Sequence, residues 1–553
     1  MSVEKLIVDH METWTSALQT RSTAGRGSSG KIDLYGIKKL RELILELAVR
    51  GKLVPQDPND EPASDLLKRI AAEKAELVKQ GKIKKQKPLP EISEEEKPFE
   101  LPEGWEWVHL PDIYCSISES SRKIKSSEIL PEGKYPVIEQ SQEFISGYCN
   151  NECLLIKLNN PVIVFGDHTR NIKFIDFDFV VGADGVKILS PILICERFFF
   201  WQLRSFKLDV RGYARHFKVL NSCLFALPPI AEQERIVEKV SSLMSLCDQL
   251  EQQSLTSLDA HQQLVETLLG TLTDSQNTAE LAENWARISE HFDTLFTTEA
   301  SVDALKQTIL QLAVMGKLVP QDPNDEPASE LLKRIAQEKA QLVKEGKIKK
   351  QKPLPPISDE EKPFELPEGW EWCRIGNIVN IKSELVSPKD YLNLYQVAPD
   401  IIEKGTGRVI SKRTVKESGV KGPNSRFYKG QIVYSKIRPS LSKVFLAEYN
   451  GLCSADMYPL DCYINPNYLL KYILSIPFLM QVKKAENRIK MPKLNSDSFY
   501  NIIVAIPPYN EQQAIFDKIN SIEAVCNGLI SYIGIYHNTQ LHLADALTDA
   551  AIN

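Results

Sequence analysis

From Ile236 onward, apolar residues return at alternating steps of four and three: Ile236, Val240, Leu243, Cys247 and Leu250. The same frame recurs as Ile515, Ile519, Ile522, Cys526 and Leu529, and Leu264, Leu268, Leu543 and Leu547 carry the two stripes further. Such steps put one apolar stripe along a helix, and a heptad seam of this kind requires a partner helix. Each run opens on a Pro-Pro pair, in Ala226-Leu-Pro-Pro-Ile-Ala-Glu-Gln-Glu-Arg-Ile236 and Ala505-Ile-Pro-Pro-Tyr-Asn-Glu-Gln-Gln-Ala-Ile515, where proline suits the first turn. The pattern predicts two long helices over 229–268 and 508–547, packed antiparallel, each roughly 60 Å long at about 1.5 Å per residue.

These runs close a larger duplication. Residues 51–107 and 316–372 differ at six of 57 positions, at a fixed offset of 265. Ahead of each copy lies a helical lead-in, in which Leu40, Ile44 and Leu47 match Leu305, Ile309 and Leu312. The Pro-Pro helices repeat at an offset of 279, so two unmatched inserts, 108–225 and 373–504, lie between the matched parts. The domain order is therefore an N-terminal helical framework over 1–107, a first insert over 108–225, and a central framework over 226–372. A second insert over 373–504 and a C-terminal spacer helix over 505–553 follow. Near-identical frames around unlike inserts imply one shared task for the frames and two different tasks for the inserts. The expected fold is α+β: two inserts of mixed character separated by two long antiparallel coiled-coil helices, with internal repeat symmetry. Helices expected over 63–80 and 328–345 precede duplicated basic linkers, GKIKKQKPLP, which suit a duplicated partner.

The net charge of −6 argues against a polyanionic ligand until its distribution is read. Residues 373–504 hold 20 Lys and Arg against 10 Asp and Glu, residues 108–225 hold 14 against 13, and the rest carries −17. A basic insert on an acidic frame suits phosphate contact, since affinity for nucleic acid comes largely from counterion release. In the second insert, strand-like runs flank a loop that brings Lys436, Arg438, Ser440, Ser442 and Lys443 together. Arg408, Lys412 and Arg413 form a second cluster, and Lys483, Lys484, Arg488, Lys490 and Lys493 a third. The first insert offers Thr169, Arg170, Asn171 and Lys173 in one run, and Arg211, Tyr213, Arg215, His216 and Lys218 in another. Cations mixed with hydroxyl, amide and imidazole groups are what base edges require, so double-stranded DNA is the expected partner.

Hydrophobic content of 43% and charged content of 25% are those of a soluble globular chain. No run of eighteen apolar residues exists to span a membrane, and the opening MSVEKLIVDHMETW lacks a leader pattern, so a cytoplasmic protein is expected. The ten cysteines form no CxxC pair, and nothing completes Cys149 and Cys153 as a metal site. Gly25-Arg-Gly-Ser-Ser-Gly30-Lys31 starts like a phosphate-binding loop, but Ile32 stands where a hydroxyl must hold magnesium. Asn465-Pro-Asn-Tyr468 departs from the adenine-methyltransferase signature at Asn467 and reads as a turn before a helix. A stand-alone nuclease would hinge on Asp112, Glu132 and Lys134, a loose pattern common by chance, and His537 and His542 give only a weak metal spacing. A protein-only scaffold leaves the basic second insert without a purpose. No catalytic residue and no metal are expected.

The LPEGWEW ahead of each insert, the AVxGKLVPQ segment, and PPIAEQERI and PPYNEQQAI opening the long helices resemble the specificity subunits of type I restriction–modification enzymes. The resemblance covers nearly the whole chain and its order of parts. It implies two target-recognition domains, each binding one half of a split, asymmetric DNA sequence. It implies helices that set the gap and dock two modification subunits, which carry S-adenosylmethionine and methylate adenine, and restriction subunits that join for cleavage. This chain would hold no cofactor itself. Inserts diverge within the family, so no DNA-touching residue is carried over.

Overall fold

Duplicated sequence is expected to make duplicated contacts, and the computed structural model allows that to be followed bond by bond. It describes residues 3–20, 32–85, 87–117, 123–182, 185–208, 215–486 and 492–552. The Gly25–Lys31 stretch and the candidate residues Arg211, Tyr213, Arg488 and Lys490 lie outside them. The chain divides into two compact units, Met1–Ser257 with Tyr536–Asn553, and Leu258–Ile535.

In the first unit α1 (Val3–Asp9), α2 (Met11–Ser16) and the paired strands β1 (Gln19–Thr20) and β2 (Ile32–Asp33) lead to α3 (Tyr35–Val49) and α4 (Ala63–Lys79). The first insert then runs β3 (Glu106–His109), β4 (Tyr114–Ile117), β5 (Tyr135–Ile138), β6 (Gly147–Cys149), β7 (Leu155–Ile156) and β8 (Val162–Gly166). It continues through β9 (Ile172–Ile175), β10 (Phe179–Val181), β11 (Val186–Pro191), α5 (Glu196–Ser205), α6 (Phe217–Leu220) and β12 (Leu224–Leu227). One sheet is ordered β4-β11-β8-β9 and a second β6-β5-β10-β7. Strand β8 is buried along its whole length, as its unbroken Val-Ile-Val-Phe-Gly run requires. Strands β3 and β12 pair antiparallel, so the insert leaves and rejoins the frame at one place. The long helix α7 (Ile230–Asp274) follows directly.

In the second unit α8 (Thr278–Glu290), α9 (Phe292–Leu295), α10 (Glu299–Val314) and α11 (Ala328–Lys344) take the order of α1 to α4. The second insert comprises β13 (Glu371–Arg374), α12 (Ile375–Ile378), β14 (Val379–Ile381), β15 (Glu384–Val386), β16 (Tyr395–Val397), α13 (Val415–Ser418) and β17 (Asn424–Phe427). After them come β18 (Ile432–Ser435), β19 (Val444–Leu446), β20 (Gly451–Ser454), β21 (Met457–Cys462), α14 (Pro466–Ile473), α15 (Ile476–Ala485), α16 (Ser496–Asn501) and β22 (Ile503–Ile506). The helix α17 (Tyr509–Ile552) ends the chain's described part. Sheet β14-β21-β18-β19 repeats the first insert's β4-β11-β8-β9 strand for strand. The other sheet, β15-β17-β20-β16, keeps the parallel pair, β16 with β20, that β5 makes with β10. The inserts differ at opposite edges of this sheet: β6 flanks β5 in the first, whereas β15 flanks β17, the counterpart of β7, in the second. Inserts that share no visible sequence thus share a core, because a core asks only for apolar residues of about the right size.

Three duplicated motifs meet in one buried node per copy. The Trp105 indole N–H donates to Glu232 Oε2 at 2.9 Å, and Gln56 Nε2 donates to Glu232 Oε1 at 3.1 Å and to Gly51 O at 2.7 Å. Trp370, Gln321, Glu511 and Gly316 repeat these bonds at 2.9, 3.2 and 2.6 Å. Gly51 and Gly316 sit at φ of 68° and 72°, and a Cβ there would lie 2.4 Å from Pro102 or Pro367, so only glycine fits. The neighbouring Gln233 accepts from Cys195 N–H at 2.9 Å and donates to Pro228 O at 2.9 Å, and Gln512 does the same with Asn465 and Pro507 at 2.9 and 3.1 Å. Helix ends are tied alike: Lys52 Nζ donates to Ile552 O at 2.5 Å, and Lys317 Nζ to Thr273 O and Ser275 O at 2.8 Å. Lys74 Nζ donates to Pro111 O and Lys339 Nζ to Gly376 O, both at 2.6 Å, clamping the start of each insert to α4 and α11. Burial pushes the Lys339 ammonium down to about 8.

Burial along the two expected stripes departs from the heptad pattern in two ways. Ile236, Val240, Leu243, Cys247, Leu250, Ile515, Ile519 and Cys526 are buried, and Ile522 and Leu529 half-buried. Leu264 and Leu543, however, are 51% and 45% exposed, and the stripes pass instead through Val265, Leu269 and Leu272, and through Ile533 and Ala544. A straight helix repeats every 3.6 residues, so a strict heptad stripe drifts off its face by about 20° per heptad. Nor is each stripe covered by one helix. Ile515 and Ile519 enter the core of the second insert with Trp370, Cys373 and Tyr468. Ile522, Cys526 and Leu529 share a core with Val265 and Leu269 of α7, and also with Ile288 of α8 and Leu305 and Ile309 of α10. In the first unit α3 reaches both long helices, through Arg41 to Asp248 and Glu251 at 2.6 Å and through Tyr35 to Asp545 at 2.7 Å.

Trp105→Phe keeps the ring but removes the donor, and should cost about 1–3 kcal/mol, the penalty of an unpaired buried acceptor, read as a lower melting temperature. Burial, the largest cause, also raises the Glu232 and Glu511 carboxyls above 4.5. Their stabilising contribution is therefore full below that value and lost as pH rises through the raised one. In Glu232→Gln with Glu511→Gln, stability should rise more steeply with pH just above 4.5 than in the parent chain, as denaturant titrations at several pH values would show.

Candidate nucleic-acid interface

In the first insert the candidate run Thr169 to Lys173 spans the turn between β8 and β9 and the start of β9, and its side chains divide in two. Thr169 is exposed, with Oγ1 donating to Gln140 O at 2.5 Å, and Asn171 Nδ2 donates to the same carbonyl at 2.9 Å. Arg170, at φ 63°, reaches Leu208 O with Nη1 at 2.8 Å. These three and Arg204 line a polar cleft of about 500 Å³. Lys173, by contrast, is buried, and its ammonium donates to Glu139 O at 2.7 Å and Glu143 O at 2.5 Å. Burial lowers its pKa. His216 is buried as well, with Nδ1 3.1 Å from Asp167 O, while Arg215 and Lys218 are exposed. Lys173 and His216 therefore hold the hairpin from within, a role that their polarity in the sequence does not disclose.

In the second insert the structure joins three clusters that the sequence keeps apart. Lys436 O accepts from Leu494 N–H at 2.9 Å, and Ile437 bridges Lys493, which sets the 436–443 hairpin beside the segment following α15. Ser440 N–H donates to Glu486 Oε1 at 2.9 Å. Lys443 Nζ donates to Pro399 O, and the next residue, Asp400, takes a bidentate bond from Arg413 at 3.0 Å. The positive charge is partly spent in doing this: Lys493 lies 3.1 Å and Lys436 4.0 Å from Asp456. Ser442 is buried. Arg438, Arg408, Lys412, Lys483 and Lys484 stay exposed, Lys412 lying 5.4 Å from the Tyr449 ring centre. Sequence reasoning missed Gln396 and Asn424, 3% and 2% exposed, whose amides meet at 3.3 Å and which line, with Arg413, a cleft of about 360 Å³. The one available signal was an amide inside the strand-like Tyr395-Gln-Val run.

The other motifs resolve simply. The Asn465 side chain accepts from Asn467 N–H at 2.9 Å and caps α14, so Asn465-Pro-Asn467 is a helix start. Asp112 and Glu132 stand on separate segments, and Lys134 lies 5.1 Å from the Tyr135 ring centre. Among the described residues no three His, Cys, Asp or Glu are placed to hold a metal ion, and no helix is long and apolar enough to cross a membrane.

Lys483→Ala with Lys484→Ala should weaken binding to every duplex alike and flatten the salt dependence, by about 0.9 in log–log slope for each phosphate no longer neutralised. Lys173→Met should instead lower the melting temperature and leave the salt slope unchanged. Fluorescence anisotropy across a salt series separates the two.

A family model described as the type I restriction modification DNA specificity domain matches residues 102–260 and 367–533, one insert with its following helix in each stretch. The chain is 51% identical to the type I restriction enzyme EcoAI specificity subunit of Escherichia coli, over all of both chains, and 49% identical to the EcoEI specificity subunit, also over all of both. It is 28% identical to the EcoDI specificity subunit over 77% of this chain and 82% of that one. Among solved structures, a chain of a type I R-M system is 15% identical with a TM-score of 0.44, covering 82% of this chain and 99% of that one. The HsdS subunit from Thermoanaerobacter tengcongensis is 16% identical with a TM-score of 0.37, covering 83% and 98%.

Proposed function

The chain belongs to the type I restriction–modification DNA specificity family, and from that premise we propose that each insert binds one half of a split, asymmetric site in double-stranded DNA. The observation that carries this reading is one fold occurring twice with unlike surfaces: shared sheets under hairpins whose side chains differ in kind and in charge. Arg438 and Ser440 in the second insert, and Thr169 and Arg170 in the first, are its candidates for base edges, with Asn171 anchoring the turn beside them. Arg215, Lys218, Arg408, Lys412, Lys483 and Lys484 are its candidates for phosphates. The helical frame, with α7 and α17 as an antiparallel coiled coil, sets the gap between the half-sites. Its duplicated basic linkers offer equal docking surfaces to two modification subunits, which hold S-adenosylmethionine and methylate adenine, and restriction subunits join that assembly. The chain works in the cytoplasm, directs chemistry done by its partners and performs none. No observation favours the nuclease reading through Asp112, Glu132 and Lys134.

Two experiments test this reading. Exchanging 108–225 for the corresponding insert of a relative should change one half-site and leave the other as it was, in a genome-wide map of methylated adenines. A change in both would contradict independent inserts. Four residues added after Leu250 lengthen a helix by roughly 6 Å at about 1.5 Å per residue, close to two base pairs at about 3.4 Å each. The methylated sites should then show a longer gap between unchanged halves. An unaltered gap with methylation intact would remove the spacer role.

A further inference from the structure

Both inserts seat one hairpin in the same way. Gly166 N–H donates to Asn171 O at 2.8 Å and Ser435 N–H to Lys443 O at 2.9 Å, closing the base of each. Asp167 N–H reaches Gly185 O at 2.7 Å, and Lys436 N–H reaches Asp456 O at 3.0 Å. Asp167 O accepts from His216 N–H at 2.8 Å, as Lys436 O accepts from Leu494 N–H at 2.9 Å. On the other flank Asn171 Nδ2 donates to Gln140 O and Lys443 Nζ to Pro399 O, each carbonyl lying just past a strand of the parallel pair. Asp167 and Asn171 therefore correspond to Lys436 and Lys443. What differs is the span between them, 168–170 in one insert and 437–442 in the other.

Each base is thus fixed from the sheet, from the neighbouring sheet and from the segment leading to the last helix, whereas the spans differ in length and in residues. A set of binding groups held on a rigid support, with variation confined to one loop, is how a fold changes what it binds without refolding. Both spans carry an arginine in the left-handed region, Arg170 at φ 63° and Arg438 at φ 46°, a conformation disfavoured for any residue with a Cβ. Arg438 is exposed and followed by the buried Pro439. A planar guanidinium matches N7 and O6 of guanine in the major groove, and a serine hydroxyl such as that of Ser440 serves any base.

We propose that the spans 168–170 and 437–442 are the base-reading elements of the two inserts, and that half-site identity travels with the span rather than with the rest of its insert. The proposal rests on the inserts being DNA-binding domains. Its test grafts 437–442 in place of 168–170, keeping Asp167 and Asn171 as the anchors, in the full chain assembled with its modification subunits. Methylated sites in the host genome should then show a changed first half-site, an unchanged second half-site, and a melting temperature close to that of the parent. A folded graft that keeps the original first half-site overturns the proposal. If the exchange of all of 108–225 changes that half-site while the graft does not, the proposal falls and the DNA-binding reading stands. If neither changes it, that reading falls as well. Should the graft fail to fold, Arg438→Ala decides in a randomised duplex selection. Discrimination at one position of the second half-site should drop by about 5- to 150-fold, and undiminished discrimination overturns the proposal.

Discussion

Burying a carboxylate is costly unless its oxygens are met by donors, and the fold turns on two places where that condition is satisfied. Glu232 and Glu511 are 1% and 4% exposed, and each takes an indole N–H on one oxygen and a glutamine amide on the other. The donors come from two motifs far apart in the chain, the tryptophan of LPEGWEW and the glutamine of KLVPQ, and the carboxylate from the start of a long helix. None of the three can drift in sequence without stranding the others, which is a physical reason for the frame's two copies to have stayed alike. The node also fixes where the long helix begins relative to the strand that opens the insert, and so the direction in which the insert is offered.

The inserts obey the opposite rule. Their sheets need apolar residues at buried positions, and Val162-Ile-Val-Phe-Gly166 and Ile432-Val-Tyr-Ser435 serve equally as the central strand. Their hairpins are anchored mainly by backbone groups, which every residue except proline supplies in full. Side chains at the surface are thereby released from structural duty, apart from interior cations such as Lys173. The second insert's net +10 already counts Asp400 and Asp456, and their pairing with Arg413 and Lys493 decides which of its cations stay unneutralised at the surface.

What the sequence disclosed follows from the same division. Periodicity, the two offsets and the charge split were legible because helices of this length declare their buried face, and near-identity needs no interpretation. The common topology of the inserts was not, since strands of three to six residues in unlike sequences leave no pattern to align. The stripe was read in heptads, and the structure follows the straight helix's own period past Leu250 and Leu529, so Val265 rather than Leu264 is inside. For the surface, residue type could not separate Lys173 and His216, which are buried, from Arg215 and Lys218, which are exposed. Gln396 and Asn424 escaped notice for the converse reason: a buried amide pair looks, one residue at a time, like an interrupted strand.

The pairing of β3 with β12, and of β13 with β22, brings the two ends of each insert side by side. To the frame, an insert is then a closed excursion whose thermodynamic burden is the entropy of bringing its ends together. That entropy grows only with the logarithm of length, about 0.6 kcal/mol for a doubling. Between inserts spanning 108–225 and 373–504 the difference is on the order of 0.1 kcal/mol. The frame is in this respect indifferent to what it holds, so that inserts of other sizes, or with added loops, leave its own stability almost where it was.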